Sequence, residues 1–318
     1  EGQMAHQVET MAYAGEVPWH GLGVKVIDDL TPDQMLKKAG LDWTVSTRPM
    51  YFKNPNKPEY TEIPKRRVLV RDSDETILST VGDGWKPLQN SEAFDFFNEF
   101  VIAGDMKMDT AGSLDDGRMV WGLAKLKDGF TVTKGDDVEG YLLFSNPHKY
   151  ACSIEVRFTP VRVVCNNTLT YALNQYTQQS ARLNHRQVFD AESVKETLGL
   201  ASNFMQNYAD VSKLLASKKY SKDSIKEYYN EVFPIAGDNK RLKDLSRNAE
   251  AALETVNTQP GAKLSEGTWW SAFNSVTYLI DHELGVSQDT RLQSAWFGKG
   301  RQKKVSALAK AKDYAMAA

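Results

Sequence analysis

The stretch from residue 106 to residue 126 reads MKMDTAGSLDDGRMVWGLAKL and gives the clearest fold signal in the chain. Its two apolar runs, Met106–Ser113 and Arg118–Leu126, have the length of strands. Between them, residues 115–117 read Asp-Asp-Gly, which are residue types that favour a turn. The stretch therefore predicts two strands joined by a turn.

Further runs of strand length lie on both sides of this stretch. Upstream are Trp43–Thr47, Arg67–Arg71 and Thr76–Val81, and downstream are Tyr141–Asn146 and Cys152–Phe158. Turn-forming residues at 54–58 and 72–75 separate the upstream runs. This spacing predicts an antiparallel meander with a helix packed on one face.

Two helices are expected within this half. Thr31 and Pro32 favour a helix start, and Gly40 favours its end. A second helix, capped by Ser91, should run to Gly104.

The segment at Thr159 and Pro160 has two interpretations. Alternation from Ile154 to Phe158 could continue as a strand, whereas Val161 and the apolar residues after it also share one helical face. We favour a helix that begins at Pro160, because Thr159 and Pro160 make a good cap pair.

After about residue 188 the apolar period becomes helical. Helices are expected along Val194–Leu215, after Ser221, along Leu242–Val256, along Trp269–Ile280 and over Lys303–Tyr314. The predicted fold is α+β, with an antiparallel sheet meander and packed helices in the N-terminal part and a helical C-terminal part. We place a strand-rich domain at residues 4–187 and a helical domain at 188–318.

Composition excludes several classes of protein. The chain has 318 residues, 41% hydrophobic and 25% charged, as folded domains do. No apolar run approaches the roughly 20 residues that span a bilayer, so no membrane partner is expected. The two cysteines, Cys152 and Cys165, suit a reducing compartment, and we expect both thiols to be free and mostly buried in a cytoplasmic protein.

Recognised catalytic and cofactor motifs are missing from the sequence. No glycine-rich loop has the phosphate-binding pattern, and no nucleophile elbow is present. His148 and Cys152 are four residues apart, but a zinc site needs further ligands, so we interpret them as a surface histidine beside a buried cysteine. No catalytic residue, metal ligand or cofactor is predicted, and the question of an enzymatic activity stays open.

Two basic segments stand out on a chain whose net charge is -2. From His148 to Arg186 there are five Lys or Arg against one Glu, and from Arg291 to the end there are seven against one Asp. Both segments also contain aromatic residues, the combination that single-stranded nucleic acid requires.

The nucleic-acid-binding residues that we predict come from these segments and from the Trp269-Trp270 pair. The first segment supplies Lys149, Tyr150, Arg157, Arg162, Asn166 and Asn167, and the second supplies Arg291, Trp296, Lys299, Arg301, Lys303 and Lys304, with Trp270 as a further ring. The asparagines could instead satisfy buried backbone, the tryptophans could be core, and the lysines could be a solvated helix start. Trp269 is expected in the core.

Three separated motifs also resemble those of a known family. They are Met4–Tyr13 with Pro18–Gly23, Phe158–Leu169, and Thr268–Trp270 with Arg291–Gly300. Together they are similar to the phage/plasmid-like proteins of domain-of-unknown-function family 932. The resemblance implies a bacteriophage or mobile-element protein of the bacterial cytoplasm with no assigned activity. Members occur among DNA-metabolism genes, which implies a role with phage DNA by association.

The leading hypothesis is a phage DNA-metabolism protein that binds single-stranded DNA or RNA, in an annealing-type, oligomeric manner. The alternative is a phage protein-binding module that engages and modulates a host protein, for which an exposed apolar patch would be the signature.

Overall fold

The computed structural model describes residues 8–14, 23–162, 167–168, 180–199, 204–235, 245–285 and 288–318. The chain forms two compact units. The first comprises Glu1–Lys127, Leu142–Arg157 and Ser180–Gly199, and the second comprises Asp128–Tyr141, Phe158–Gln179 and Leu200–Ala318. The units therefore interleave along the chain. The domain boundary after residue 187 stays a prediction.

The strands of the described residues form two sheets. In chain order the strands are β1 Val8–Tyr13, β2 Val24–Lys25, β3 Val45–Lys53, β4 Tyr60–Arg71, β5 Ile77–Gly82, β6 Met106–Leu114, β7 Met119–Leu126, β8 Phe130–Thr133, β9 Asp136–Pro147, β10 Ile154–Arg162, β11 Asn167–Thr168 and β12 Ser180–Leu183. The larger sheet has the order β11-β10-β9-β7-β6-β1-β2, with β12 paired to β10 and β8 to β9. The smaller sheet, β3-β4-β5, lies in the first unit.

Most helices follow the strands in sequence. They are α1 Pro32–Lys38, α2 Asn90–Asp95, α3 Asn98–Ile102, α4 Ala191–Gly199, α5 Phe204–Ser217, α6 Lys222–Val232, α7 Arg247–Thr255, α8 Trp269–Tyr278, α9 Gln288–Phe297 and α10 Lys299–Ala317, with a 3₁₀ turn at Ala262–Ser265 and a π-helix at Leu279–Glu283. The α+β prediction is confirmed. None of the described helices combines the length and the apolarity that crossing a membrane requires.

The hairpin predicted at 106–126 is β6 and β7, paired antiparallel from Met106 with Leu126 to Leu114 with Met119. Its turn places Gly117 at φ 83°, in the left-handed region that glycine tolerates best. A methyl group on Gly122 of β7 would lie 3.2 Å from the rings of Phe94 and Phe97, so the short helices pack closely on this strand. The predicted helix on one face of the meander is therefore present.

The N-cap residues of the sequence predicted two helix starts correctly and one incorrectly. Thr31 caps α1, and Ser221 caps α6, each with a side-chain hydrogen bond from the third residue of its helix. The helix expected after Ser91 begins instead at Asn90, with Gln89 as its N-cap, and it is broken into α2 and α3.

The helix favoured at Pro160 is wrong, because β10 continues through Thr159 and Pro160 to Arg162. Val161 and Arg162 pair antiparallel with Thr168 and Asn167 of β11. This pairing satisfies backbone groups that a new helix start would leave without partners, and it overrides the local preference of the cap pair.

The core of the second unit is built around α8. Every residue from Trp269 to Thr277 is buried, and aromatic side chains from α6 and α10 pack on this helix. The rings of Trp269 and Tyr314 stack with centroids 5.0 Å apart, and Tyr228 meets Trp269 edge to face at 5.5 Å. Trp269 is therefore a core residue, as predicted.

In the first unit, Arg71 joins the smaller sheet to the larger one. Arg71 ends β4 and is only 8% exposed. Its guanidinium donates to Glu9 of β1 at 2.6 Å and to Asp74 at 2.7 Å, and it lies 5.3 Å from the ring of Trp43. These contacts fix the base of β4 against β1.

Replacement of Arg71 by Met should lower the free energy of unfolding by about 3 kcal/mol, because Glu9 would lose its cation in a poorly solvated position. Urea unfolding measures the change. The matched control is Arg48→Met, which removes an arginine whose pairs with Asp72 and Glu75 are exposed, and it should cost less than about 1 kcal/mol. Equal costs for the two variants would contradict the buried role of Arg71.

Candidate nucleic-acid interface

A long ribbon formed by β3 and β4 extends beyond the core of the smaller sheet. The buried residues Val45, Leu69, Leu78 and Val81 form that core, whereas residues 48–67 are exposed or half-buried. We call residues 48–67 the arm. β3 and β4 account for all of the arm except the turn at residues 54–59.

The arm carries three large rings that its own fold leaves uncovered. Tyr51 is 51% exposed, Phe52 is 47% exposed and Tyr60 is 68% exposed. Three exposed rings on one ribbon make the arm a candidate surface for a ligand.

The register of the two strands places rings on both faces of the arm. Tyr51 is opposite Glu62, Phe52 opposite Thr61, and Lys53 opposite Tyr60. Opposite residues share a face and successive residues alternate, so Tyr51, Lys53 and Tyr60 lie on one face and Phe52 on the other. The ammonium of Lys53 lies 4.9 Å from the centroid of the Tyr60 ring, as expected for neighbours on one face.

The arm is also strongly basic. It contains six cations, Arg48, Lys53, Lys57, Lys65, Arg66 and Arg67, against Glu59 and Glu62, so its net charge is +4. The whole chain has a net charge of -2, so the remainder carries -6. Within the described part of the chain, Lys57, Lys65 and Arg66 form no ion pair, and their charges are available to a ligand.

The middle of the arm is irregular. The pairing shifts between Pro49 and Tyr51, where residues 63–66 of β4 face the single residue Met50 of β3. Lys65 in this bulge has φ 59°, a left-handed conformation that is uncommon for a side chain other than glycine. The bulge separates the aromatic outer half of the arm from its base.

The predicted residues Lys149 and Tyr150 lie in the first unit beside the smaller sheet. The backbone N–H of Tyr150 donates to Ser79 Oγ of β5 at 3.1 Å, and the Tyr150 side chain is exposed. Lys149 is half-buried and pairs with Asp115 at 3.0 Å. Tyr150 therefore presents a free ring, whereas the charge of Lys149 is partly neutralised.

Three predicted residues lie in the interior. Arg157 is 4% exposed and donates to Glu155 at 2.9 Å. Trp270 is fully buried and its indole donates to Asp136 at 3.0 Å. Lys304 is fully buried beside Asp281 at 2.7 Å. All three leave the set of candidates, because a base or a phosphate cannot reach a side chain that the protein itself encloses.

The guanidinium of Arg291 binds backbone carbonyl groups. Its guanidinium donates to the carbonyl oxygens of His282 at 2.5 Å, Glu283 at 3.2 Å and Leu284 at 3.1 Å, at the end of the π-helix. The last carbonyl groups of a helix lie beyond the reach of its own N–H donors, so Arg291 serves as a cap at this helix end rather than as a phosphate contact.

The other residues of the second basic segment are on or near the surface of the second unit. Lys299 is exposed, Arg301 and Lys303 are half-buried, and Trp296 packs partly against the core. The Lys303 ammonium lies 4.8 Å from the centroid of the Phe233 ring, and burial lowers its pKa. Of this segment, Lys299 has the most accessible charge.

The remaining predictions fall outside what the structure describes. Asn166 and Cys165 lie outside the described residues, as do the side chains of Arg162 and Asn167. Of the residues predicted from the first basic segment, Lys149 and Tyr150 are therefore the two whose side chains lie on a described surface.

Comparison with known proteins places the chain in a family. Residues 77–304 match the model of DUF932, described as a domain of unknown function. The chain belongs to the DUF932 family. The matched range covers most of the chain and begins after the arm, so the family match does not include the arm. No curated protein and no solved structure gives a significant match to this DUF932 chain.

Buried histidines form a polar cluster in the first unit of this DUF932 protein. His148 is fully buried, and its Nε2 lies 2.9 Å from Asn90 Oδ1. His185 is 2% exposed, and its ring stacks on Trp85 with centroids 4.0 Å apart. The expectation of a surface histidine is wrong, because His148 is enclosed. Cys152 is free and half-buried.

Burial determines the protonation of both histidines. It lowers the pKa of His148 to about 3, with a smaller contribution from nearby His185. It also lowers the pKa of His185, against the opposing effect of hydrogen bonds to the carbonyls of Lys86 and Pro147. No group of three or more metal-ligating side chains exists among the described residues.

The histidine pair should make the DUF932 protein sensitive to acid. The folded pKa values lie below the unfolded value of about 6.5, so the unfolded state binds more protons below that pH and stability falls. Between pH 6.5 and pH 5, His148 should lower the free energy of unfolding by about 1.6 kcal/mol, and His185 should add to this loss. Urea unfolding of His148→Gln should show a smaller loss of stability over this pH range than the natural chain, because of the two histidines only His185 still contributes. An identical pH dependence for the variant and the natural chain would contradict the assignment.

The assignment of Lys304 to the interior has its own test. Lys304→Met should lower the free energy of unfolding by about 3–5 kcal/mol, because the buried carboxylate of Asp281 would lose its cationic partner. The exposed Lys299 is the matched control, and Lys299→Met should change stability by less than about 0.5 kcal/mol. Similar unfolding midpoints for both variants in urea would show that Lys304 is solvated.

Proposed function

We propose that this protein binds single-stranded nucleic acid through the arm. The observation that carries the proposal is the combination on one ribbon of three exposed rings with a net charge of +4. Lysine and arginine side chains neutralise phosphates, and aromatic rings stack on bases. The arm carries both cationic side chains and aromatic rings within a few cross-strand residue pairs.

The exposed rings favour a single strand over a duplex. Tyr51, Phe52 and Tyr60 can stack only on bases whose faces are free, and in a duplex those faces are covered by neighbouring base pairs. A duplex would leave the cations to act alone, with the weaker, purely electrostatic binding that phosphates give.

The sequence of the arm opposes the addition of another β-strand. Pro49 lacks an N–H on the outer strand, and charged side chains together with the bulge break the regular edge. These features protect an edge strand from pairing with other chains. The rings are thus exposed on an element that resists strand pairing, which supports nucleic acid over the host-protein alternative. An annealing-type, oligomeric role stays a prediction.

The charge of the arm can be tested by the salt dependence of binding. The triple variant with Lys57, Lys65 and Arg66 replaced by Gln should bind a fluorescent oligothymidylate more weakly. The slope of log K against log salt should fall by about 2, because each phosphate contact on a single strand contributes about 0.7. Fluorescence anisotropy at several salt concentrations gives the slope.

The matched control removes the same charge elsewhere. Lys213, Lys222 and Lys226 are exposed on α5 and α6 of the second unit, and their replacement by Gln should leave the slope unchanged. Equal effects of the two triple variants would end the proposal, as would an affinity for the oligothymidylate no higher than for polyglutamate. Captured host protein whose binding depends on Tyr51 and Tyr60, without nucleic-acid affinity, would support the protein-binding alternative.

A further inference from the structure

We infer that the arm holds two segments of single-stranded nucleic acid at once, one on each of its two faces. The inference rests on the proposed function and deepens it, because it gives the number and the arrangement of the strands that the arm binds. The proposed function needs only exposed rings and positive charge, whereas the inference needs rings on two opposite surfaces.

The outer half of the arm is covered on neither face. Residues 51–53 of β3 pair there with residues 60–62 of β4, and we call these residues the outer ladder. The described pairing of β5 with β4 runs from Arg66 to Val70 and does not include the outer ladder. Every residue of the outer ladder is exposed. A ribbon with one covered face would show alternating buried and exposed residues, so both faces of the outer ladder are accessible to a ligand.

The register places the rings of the outer ladder on opposite faces. The shift in pairing ends at Tyr51, so the alternation of side chains is regular from Tyr51 to Lys53. Tyr51, Lys53 and Tyr60 share one face, which we call the tyrosine face. Phe52 and Thr61 share the other, the phenylalanine face. The distance of 4.9 Å between the Lys53 ammonium and the centroid of the Tyr60 ring agrees with this assignment.

The thickness of the ribbon separates the two sets of rings. Side chains occupy roughly 5 Å on each side of a strand, half of the spacing of packed sheets, so rings on opposite faces lie about 10 Å apart. A base stacked outside each ring adds about 4.5 Å on either side, which places the two bases about 19 Å apart. One base therefore cannot contact Phe52 and a tyrosine together. A strand of about four stacked nucleotides spans only about 10 Å, so it cannot stack on both faces.

Positive charge is available along the outer ladder and at both of its ends. Lys53 lies on the tyrosine face, and the carboxylate of Glu62 on that face is paired with Arg67 at 2.9 Å. Exposed cations that form no ion pair among the described residues flank the outer ladder: Lys57 in the turn at one end, and Lys65 and Arg66 in the bulge at the other. A strand that runs from the turn to the bulge along either face therefore meets cations at both ends, where they can neutralise its phosphates.

The number of bound oligonucleotides tests the inference. The full chain is titrated with oligothymidylates of about 4 nucleotides, the lower end of single-strand site sizes, that carry either a donor or an acceptor dye. The natural chain should bind two oligonucleotides per chain and show energy transfer between the dyes. Phe52→Ala should bind one and lose the energy transfer, because loss of a stacking ring weakens its site by about 10-fold or more. The double variant Tyr51→Ala and Tyr60→Ala should do the same, since it removes the rings of the other face.

The outcomes separate the inference from the function on which it rests. Energy transfer that persists in either ring variant would show that the two oligonucleotides do not occupy opposite faces of one arm, and the inference fails alone. A single oligonucleotide per natural chain, weakened by both ring variants, would place all of the rings in one site and also ends the inference alone. If the natural chain binds none, or if both ring variants bind as it does, the proposed function fails as well. Ile102→Ala, at an exposed apolar residue of α3, controls for loss of surface area and should keep both oligonucleotides.

Discussion

The clamp at the base of the β3–β4 ribbon is the interaction on which the proposed interface depends. A two-stranded ribbon is marginally stable in water by itself. Here Arg71 ties β4 to Glu9 of β1, and the side chain of Gln89 pairs with both backbone groups of Val45 at 2.9 Å. The base is thereby anchored to the first unit on both strands, so the outer half of the arm can stay exposed without a core of its own.

The same unit also contains polar side chains that are bound inside the protein and cannot contact a ligand. Arg157, Asn90 and His148 are enclosed and hydrogen-bonded. A buried charge or amide costs free energy unless a partner is provided, so each of these groups is bound to a partner that fixes strands or loops in place. The enclosed polar side chains therefore stabilise the fold, whereas those of the exposed arm remain accessible to a ligand.

The sequence could not separate these two kinds of residue. The sequence predicts Arg157 and Lys304 as phosphate contacts because they lie in basic segments. Each has a carboxylate partner, which is two residues away for Arg157 and distant in sequence for Lys304. The predicted site does not include the arm, because the cations and rings of the arm lie in runs interrupted by prolines, whereas the two predicted segments have a local excess of positive charge. The signal that could have found it is the pair of runs Tyr51-Phe52-Lys53 and Lys65-Arg66-Arg67 on the two sides of the loop at residues 54–58.

By itself the sequence determined the α+β class, the hairpin at 106–126, the capped helices at Thr31 and Ser221 and the burial of Trp269, because apolar periodicity and cap chemistry act over a few residues. It did not determine the continuation of β10 through Pro160, the division of the chain into interleaved units or the choice between paired and free cations. Those outcomes depend on partners distant in sequence, since hydrogen bonding across a sheet and burial of a charge are properties of the folded neighbourhood and not of a residue's own segment.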